Sequence, residues 1–148
     1  MKIMSDFGSN TAPWWFKIAA VVAILWGLAG VYACYSQLSL SAEQMAALPA
    51  EQRDAFIAMP GFIKGAYAIA VGAGLVGGVL LLMRKAPARI AFIVSLVGVV
   101  LQFGWVFGPY QGLAKLGASA MVFPAFIAAV GVAEFYLSVL ALKRRWIA

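Results

Sequence analysis

Residues 66–107 read AYAIAVGAGLVGGVLLLM, RKAPAR, IAFIVSLVGVVLQFGWVF: two apolar blocks of 18 residues on either side of a six-residue basic connection. A helix that crosses a bilayer needs about 17–25 predominantly apolar residues. Each block is therefore long enough to be a membrane span, and the short connection makes the two spans antiparallel neighbours. Residues 14–35 and 121–142 form two further blocks of the same kind.

The composition excludes an ordinary water-soluble domain. The chain has 148 residues, of which 65% are hydrophobic and 11% are charged, whereas soluble domains carry about 25% charged residues. Backbone polar groups in hydrocarbon must pair within their own segment, so apolar runs of this length form helices. The sequence thus predicts an all-α polytopic membrane protein, a single domain of residues 1–148 built as an antiparallel bundle of four transmembrane helices.

The connections divide the chain into predicted elements. We place the spans at about 14–36, 62–83, 88–108 and 121–142, with an outer connection at 37–61. Within that connection, Ser41 and Gln44 have the spacing of a capping box, and Pro49 precedes a second stretch with one apolar side. Two short extracytoplasmic helices are expected there. They lie on the outer membrane surface or cap the bundle, or they form a lid over a binding site.

The distribution of basic residues predicts the orientation of the chain. Eight of the eleven Lys and Arg residues fall on one side of the predicted spans: Lys2, Lys17, Arg84, Lys85, Arg89, Lys143, Arg144 and Arg145. Cytoplasmic loops are rich in these residues, so both termini are predicted to be cytoplasmic. Because the basic residues mark span ends, the net charge of +6 does not indicate a nucleic-acid partner. The predicted partner is the lipid bilayer.

Glu134 is the acidic residue placed deep in a span. It lies eight residues from the end of the fourth block, about 12 Å deep at 1.5 Å per residue. A carboxyl group there costs about 2.5–3.5 kcal/mol on insertion scales, so it is expected to face protein or water and to be neutral or paired. Ser138 follows one turn later, and Ser95 and Gln102 bracket the same depth on the third span.

These four side chains predict one polar seam inside the bundle. The seam is open to two interpretations. In the functional one, Glu134 is a protonatable site for a coupling ion or a substrate. In the structural one, Glu134 is a neutral acid that hydrogen-bonds a neighbouring helix and holds the bundle together.

The second span carries small residues at every fourth position: Ala66, Ala70, Gly74 and Gly78. Such a face lets two helix backbones approach closely. It either packs within the chain against the first or third span, or docks a second copy or another membrane subunit. Trp26 lies deep in the first span, where it either packs or lines a pore and stacks on a ligand.

The sequence offers little catalytic chemistry. It has no His and a single cysteine, Cys34, and it shows no metal-ligand cluster, phosphate-binding loop or paired carboxylates in the spans. We therefore predict no enzyme, no catalytic residue, no metal and no cofactor. The predicted function is small-solute permeation or proton-linked transport as an oligomer, using the Glu134 and Gln102 seam. The alternative is an accessory or scaffold subunit that binds other membrane helices through the small-residue face.

A series of short motifs runs through residues 14–108. They are LWG at 25–27, Tyr35, PAEQRD at 49–54, Phe56, Pro60, LLLMRK at 80–85, and Phe92 with Ser95. This order resembles a family of small bacterial four-span membrane proteins commonly labelled sugar transporters, although Gly27 stands where that family has Asn. The resemblance implies a bacterial inner-membrane location and supplies no catalytic or binding residues.

Overall fold

The computed structural model describes residues 11–148, so the predicted position of Lys2 lies outside the described residues. In that part of the chain the regular structure is helical throughout. The elements are α1 (Trp14–Leu38), α2 (Ala42–Ala47), α3 (Ala50–Ala58), α4 (Gly61–Leu82), α5 (Ala88–Phe107), α6 (Gly112–Leu116), a 3-10 turn (Ala118–Met121) and α7 (Val122–Lys143). Helices α1, α4, α5 and α7 are long and apolar enough to cross a membrane, and the predicted all-α four-helix architecture is confirmed.

Local sequence explains where the helices begin. Pro13, Pro60 and Pro87 are the residues that precede α1, α4 and α5. Proline lacks an N–H group and therefore loses nothing at a helix start, where that group has no partner. The predicted capping box opens α2: the backbone N–H of Gln44 donates to Ser41 Oγ at 3.2 Å, and the Ser41 N–H donates to Gln44 Oε1 at 2.9 Å.

The four long helices pack in the order α1, α4, α5 and α7, each antiparallel to the next. One end of the bundle, called here the basic end, carries Lys17, Arg84, Lys85, Arg89, Lys143, Arg144 and Arg145. The opposite end, called the loop end, carries α2, α3 and α6. Fully buried side chains concentrate at the basic end, where Phe16, Leu81 and Phe92 belong to one apolar cluster. The bundle is therefore closed at the basic end.

A clasp formed by residues 146–148 contributes to this closure. The Ala86 N–H donates to the Ala148 carbonyl at 3.0 Å, and the Ala148 N–H donates to the Arg84 carbonyl at 3.1 Å. Arg84 Nε also donates to the Trp146 carbonyl at 2.7 Å. The clasp ties the end of α7 to the turn between α4 and α5, and Ile147 is buried beneath it.

The aromatic ring of Trp146 extends the clasp to α1. Its centroid lies 5.3 Å from that of Trp15, edge to face, and 5.5 Å from that of Phe16. Aromatic pairs at such separations are favourable beyond the area they bury. All four long helices thus meet at the basic end.

The small-residue face of α4 lies against other helices of the same chain. A Cβ atom added to Gly78 would lie 3.0 Å from the Ile24 backbone nitrogen on α1, and one added to Gly74 would lie 3.2 Å from Ser95 Oγ on α5. Ala70 is 2% exposed, and with Ala66 it packs against Gly98 of α5. The face is covered by α1 and α5.

The outward faces of the long helices are apolar and exposed. At most 22% of an apolar 18-residue stretch of each span is buried within the protein. Leu25, Val100 and Val132 are each more than half exposed. Apolar exposure on this scale is rare in soluble monomers, and it is the surface expected of a multi-pass membrane protein in contact with lipid.

The connection between α5 and α7 contains α6 and the 3-10 turn, which the sequence analysis did not predict. Tyr110 is buried, its ring stacks on Trp105 at 5.2 Å, and Lys115 Nζ lies 4.2 Å from the Tyr110 ring centroid. Helix α3 contacts α6. The two connections at the loop end therefore meet each other.

Candidate functional site

A cavity of about 370 Å³ lies between the four long helices and extends from the loop end to just past the middle of the bundle. Gln37, Met59 and Phe123 line it close to the loop end, and Glu134 lines it at the greatest depth. Glu134 stands twelve residues after Val122, which corresponds to about 18 Å along α7. Below this depth the apolar cluster and the clasp close the bundle.

Small residues and sparse contact between two helices create this space. The α1 wall includes Ala29, Gly30 and Ala33, and the α7 wall includes Gly131. Beside the cavity, α1 and α7 approach each other through the rings of Trp26 and Phe126, whose centroids lie 5.6 Å apart. The cavity is thus bounded on one side by the packed pair α4 and α5, and on the opposite side by the contact between α1 and α7.

The predicted polar seam is only partly assembled around the cavity. Glu134, Gln102 and Ser95 line it. Ser138 does not: it is fully buried, and its hydroxyl donates to the Phe135 carbonyl of its own helix at 2.6 Å. The Ser95 hydroxyl donates to the Ala70 carbonyl at 2.7 Å and so joins α5 to α4. Of the four residues of the predicted seam, Glu134 and Gln102 remain to interact with a solute.

The carboxyl group of Glu134 is accessible from the cavity. Within residues 11–148 neither Glu134 nor Gln102 makes a side-chain hydrogen bond or ion pair. Over the same residues every buried side-chain nitrogen or oxygen has a hydrogen-bond partner. The unbonded oxygens of Glu134 are therefore not sealed in the protein interior. Because Glu134 lines the cavity, a solute held there can reach them.

Glu134 is the one charged residue among those that line the cavity. Two lysines at the loop end are held elsewhere. Lys64 Nζ lies 4.2 Å from the Phe56 ring centroid, and Lys115 Nζ lies at the same distance from that of Tyr110. Rings attract ammonium groups electrostatically, so both contacts hold these charges at the loop end. The cavity wall itself carries no positive charge.

Sequence reasoning missed Tyr67, which lines the cavity from α4. A signal was present, because Tyr67 is the one residue with a polar side chain between positions 66 and 83. It also precedes Ala70 and Gly74 on the inward face by one and two helical turns. Trp26, for which pore lining was one of two interpretations, does line the cavity.

The polar groups of the cavity wall are suited to reversible binding. A carboxyl group and a carboxamide can hydrogen-bond a solute, and a carboxyl group can also hold or release a proton. No nucleophile paired with a base lies among the cavity residues, and within residues 11–148 no three His, Cys, Asp or Glu side chains come together.

No family model, curated protein or solved structure matches this chain. The resemblance to small four-span proteins therefore stays a prediction that depends on the quoted motifs alone.

Proposed function

We propose that this protein binds a small solute in the cavity and moves it across the membrane, by permeation or by proton-linked transport. Glu134 and Gln102 are the residues of the predicted seam that the solute meets, and Gln37 and Tyr67 add two further polar groups to the wall. The observation that carries the proposal is a cavity between four membrane-spanning helices that reaches a carboxyl group near the middle of the bundle.

The state of Glu134 favours a functional over a purely structural role. A carboxyl group used to hold two helices together would bond its neighbour, as Ser95 bonds the Ala70 carbonyl. Within residues 11–148 Glu134 makes no such bond. Glu134 is half-buried, and an acid at this depth in a membrane that stabilises no helix contact is best explained by a ligand or proton that it binds.

Transport requires the closed end to open. In the structure the cavity extends from the loop end, and the clasp and the apolar cluster block the basic end. In an alternating-access cycle, a second state would be open at the basic end and closed at the loop end. The clasp, which connects α7 to the α4–α5 turn, is the element that such a change must release.

Assembly as an oligomer is part of the proposal. The cavity wall between α1 and α7 depends on the Trp26 and Phe126 ring pair. A second copy packed along this side would complete the wall. The distribution of basic residues supports an orientation with the basic end in the cytoplasm of a bacterial inner membrane, and the cavity would then face outward.

The scaffold alternative has less support from the geometry. It needs the small-residue face of α4 to be available to another protein, but Gly74 and Gly78 lie against α5 and α1. A partner helix could not reach that face unless the bundle opened.

Proteoliposomes test the proposal with three radiolabelled probes of different charge: xylose, benzyltrimethylammonium and benzenesulfonate. A trapped pH-sensitive dye follows proton movement in the same vesicles. We expect at least one probe to cross faster than in protein-free vesicles, and Glu134→Gln to slow it at least tenfold. Ser138→Ala, on the same helix but outside the cavity, is the matched control and should keep the wild-type rate. Equal rates for Glu134→Gln and wild type, or no transport of any probe, would refute the proposal.

A further inference from the structure

We infer that the ligand of this cavity is a compact organic cation with an apolar or aromatic body. The inference rests on the proposed function and specifies its ligand class. It follows from three properties of the wall: its charge, its small number of hydrogen-bonding groups, and its aromatic content.

The charge of the wall selects against anions. Glu134 is the one charged lining residue, and it stands at the deep end. Lys64 and Lys115 lie over aromatic rings of the loop-end connections instead. An anion in the cavity would face a carboxyl group with no positive partner, whereas a cation can form a charge-assisted contact with a carboxylate.

The polar groups are too few for a polyhydroxylated solute. Gln37, Tyr67, Gln102 and Glu134 offer free polar atoms along the wall, whereas the hydroxyl of Ser95 is already bonded to α4. Each sugar hydroxyl left without a partner against an apolar wall loses its hydrogen bonds to water and gains none. A cation with a single charged centre needs only one strong partner, which Glu134 provides. The wall therefore argues against a sugar as the ligand.

Aromatic side chains supply the remaining recognition. Trp26, Tyr67, Phe103 and Phe123 line the cavity on four different helices. The faces of such rings attract organic cations, especially where water is excluded. An aromatic wall that leads to a carboxyl group at the deep end is the chemical setting in which a quaternary or protonated amine is preferred to a neutral solute.

The volume limits the size of the ligand. At about 370 Å³ the cavity lies in the lower part of the range of about 300–1,000 Å³ that is usual for ligand sites. One aromatic ring with a small ammonium group fits this space. Benzyltrimethylammonium is such a molecule, and benzenesulfonate has a similar shape with the opposite charge.

Calorimetric titration of the full chain in lipid nanodiscs tests the inference with three probes. We expect benzyltrimethylammonium to bind, and benzenesulfonate and xylose to bind at least tenfold more weakly. Glu134→Gln should weaken cation binding at least tenfold, and Glu134→Asp, which keeps the charge, should restore most of it. Ser138→Ala should bind as the wild type does, and monodisperse elution of each variant establishes that it is folded.

Three outcomes overturn the inference: xylose or benzenesulfonate binds as tightly as the cation, Glu134→Gln binds the cation with unchanged affinity, or the cation does not bind. If the cation fails to bind but xylose crosses proteoliposomes in a Glu134-dependent way, the ligand class is wrong and the proposed transport survives. If the cation binds through Glu134 but no probe crosses, the ligand class survives and the transport proposal is wrong.

Discussion

Gly98→Ala tests how closely α4 and α5, two of the helices that line the cavity, pack against each other. A Cβ atom added at Gly98 would lie 2.7 Å from the Ala70 Cβ and 2.8 Å from the Ala66 carbonyl oxygen. Neither atom can rotate away, because one is backbone and the other is fixed to it. Ordinary carbon contacts lie at about 3.5–4.0 Å, so the two helices must separate by about 1 Å.

The cost of that separation can be estimated from general values. Overpacking of this kind costs about 1–3 kcal/mol. The separation would also lengthen the hydrogen bond from Ser95 to the Ala70 carbonyl, now 2.7 Å, which is worth about 0.6 kcal/mol in membrane helices. Alanine returns up to about 1 kcal/mol because it favours helix over glycine. We expect a net loss of about 1–2 kcal/mol, or roughly 5–30-fold in the folded-to-unfolded ratio.

Unfolding in mixed micelles of mild detergent and dodecyl sulfate, followed by far-ultraviolet circular dichroism, measures this loss. The matched control is Gly104→Ala on the same helix, because a Cβ atom added there meets nothing within 4 Å. Its free energy of unfolding should equal or slightly exceed that of the wild type. If Gly98→Ala proves as stable as Gly104→Ala, the close packing of α4 on α5 described above is incorrect.

Three further substitutions test other parts of the fold, all by the same unfolding assay. Gly77→Ala should cost about 1–3 kcal/mol, because its Cβ would lie 2.7 Å from the buried ring of Phe92; Gly72→Ala, with open space around it, should not. Ile147→Ala should cost about 2 kcal/mol by removing the buried side chain of the clasp, and an unchanged stability would show that the clasp does not hold the basic end. Ser95→Ala should cost about 0.6 kcal/mol and leave probe binding intact, whereas a loss of binding would give Ser95 a role in contacting the ligand.

Features with a local physical cause could be predicted from the sequence. The spans follow from the length of the apolar runs, since hydrocarbon forces the backbone to pair within each segment. The first short helix follows from the reciprocal bonds of Ser41 and Gln44. The antiparallel packing of α4 and α5 follows from the short connection between Leu82 and Ala88, which allows no other arrangement.

Features that depend on which segments meet in space could not be predicted. The clasp has no local signal, because its bonds join residues 146–148 to the turn at residues 84–86. The small-residue face of α4 is equally suited to packing inside the chain and to docking a partner until its neighbours are known. Helix α6 has five residues, too few to produce a periodic pattern.

The polar seam illustrates the same limit at the site. Helical spacing puts Ser138 one turn from Glu134, but a serine in a helix can instead bond a carbonyl of the preceding turn, and Ser138 does so. Spacing alone does not distinguish a hydroxyl free to bind a solute from one already used by the backbone. Glu134 and Gln102 have no such local partner, so depth and face were sufficient to place them on the cavity.

Thiol accessibility from each side of the membrane tests most directly whether the cavity is reached from the loop end and closed below its polar residues. Gln102→Cys and Ser138→Cys are compared in a Cys34→Ala background, with Ser119→Cys as an exposed marker of the loop end. A membrane-impermeant methanethiosulfonate is applied to sealed vesicles of either orientation. We predict that Gln102→Cys reacts from the side that labels Ser119→Cys, while Ser138→Cys stays unreactive. Equal protection of Gln102→Cys and Ser138→Cys, or reaction of Gln102→Cys only from the opposite side, would contradict the cavity described here.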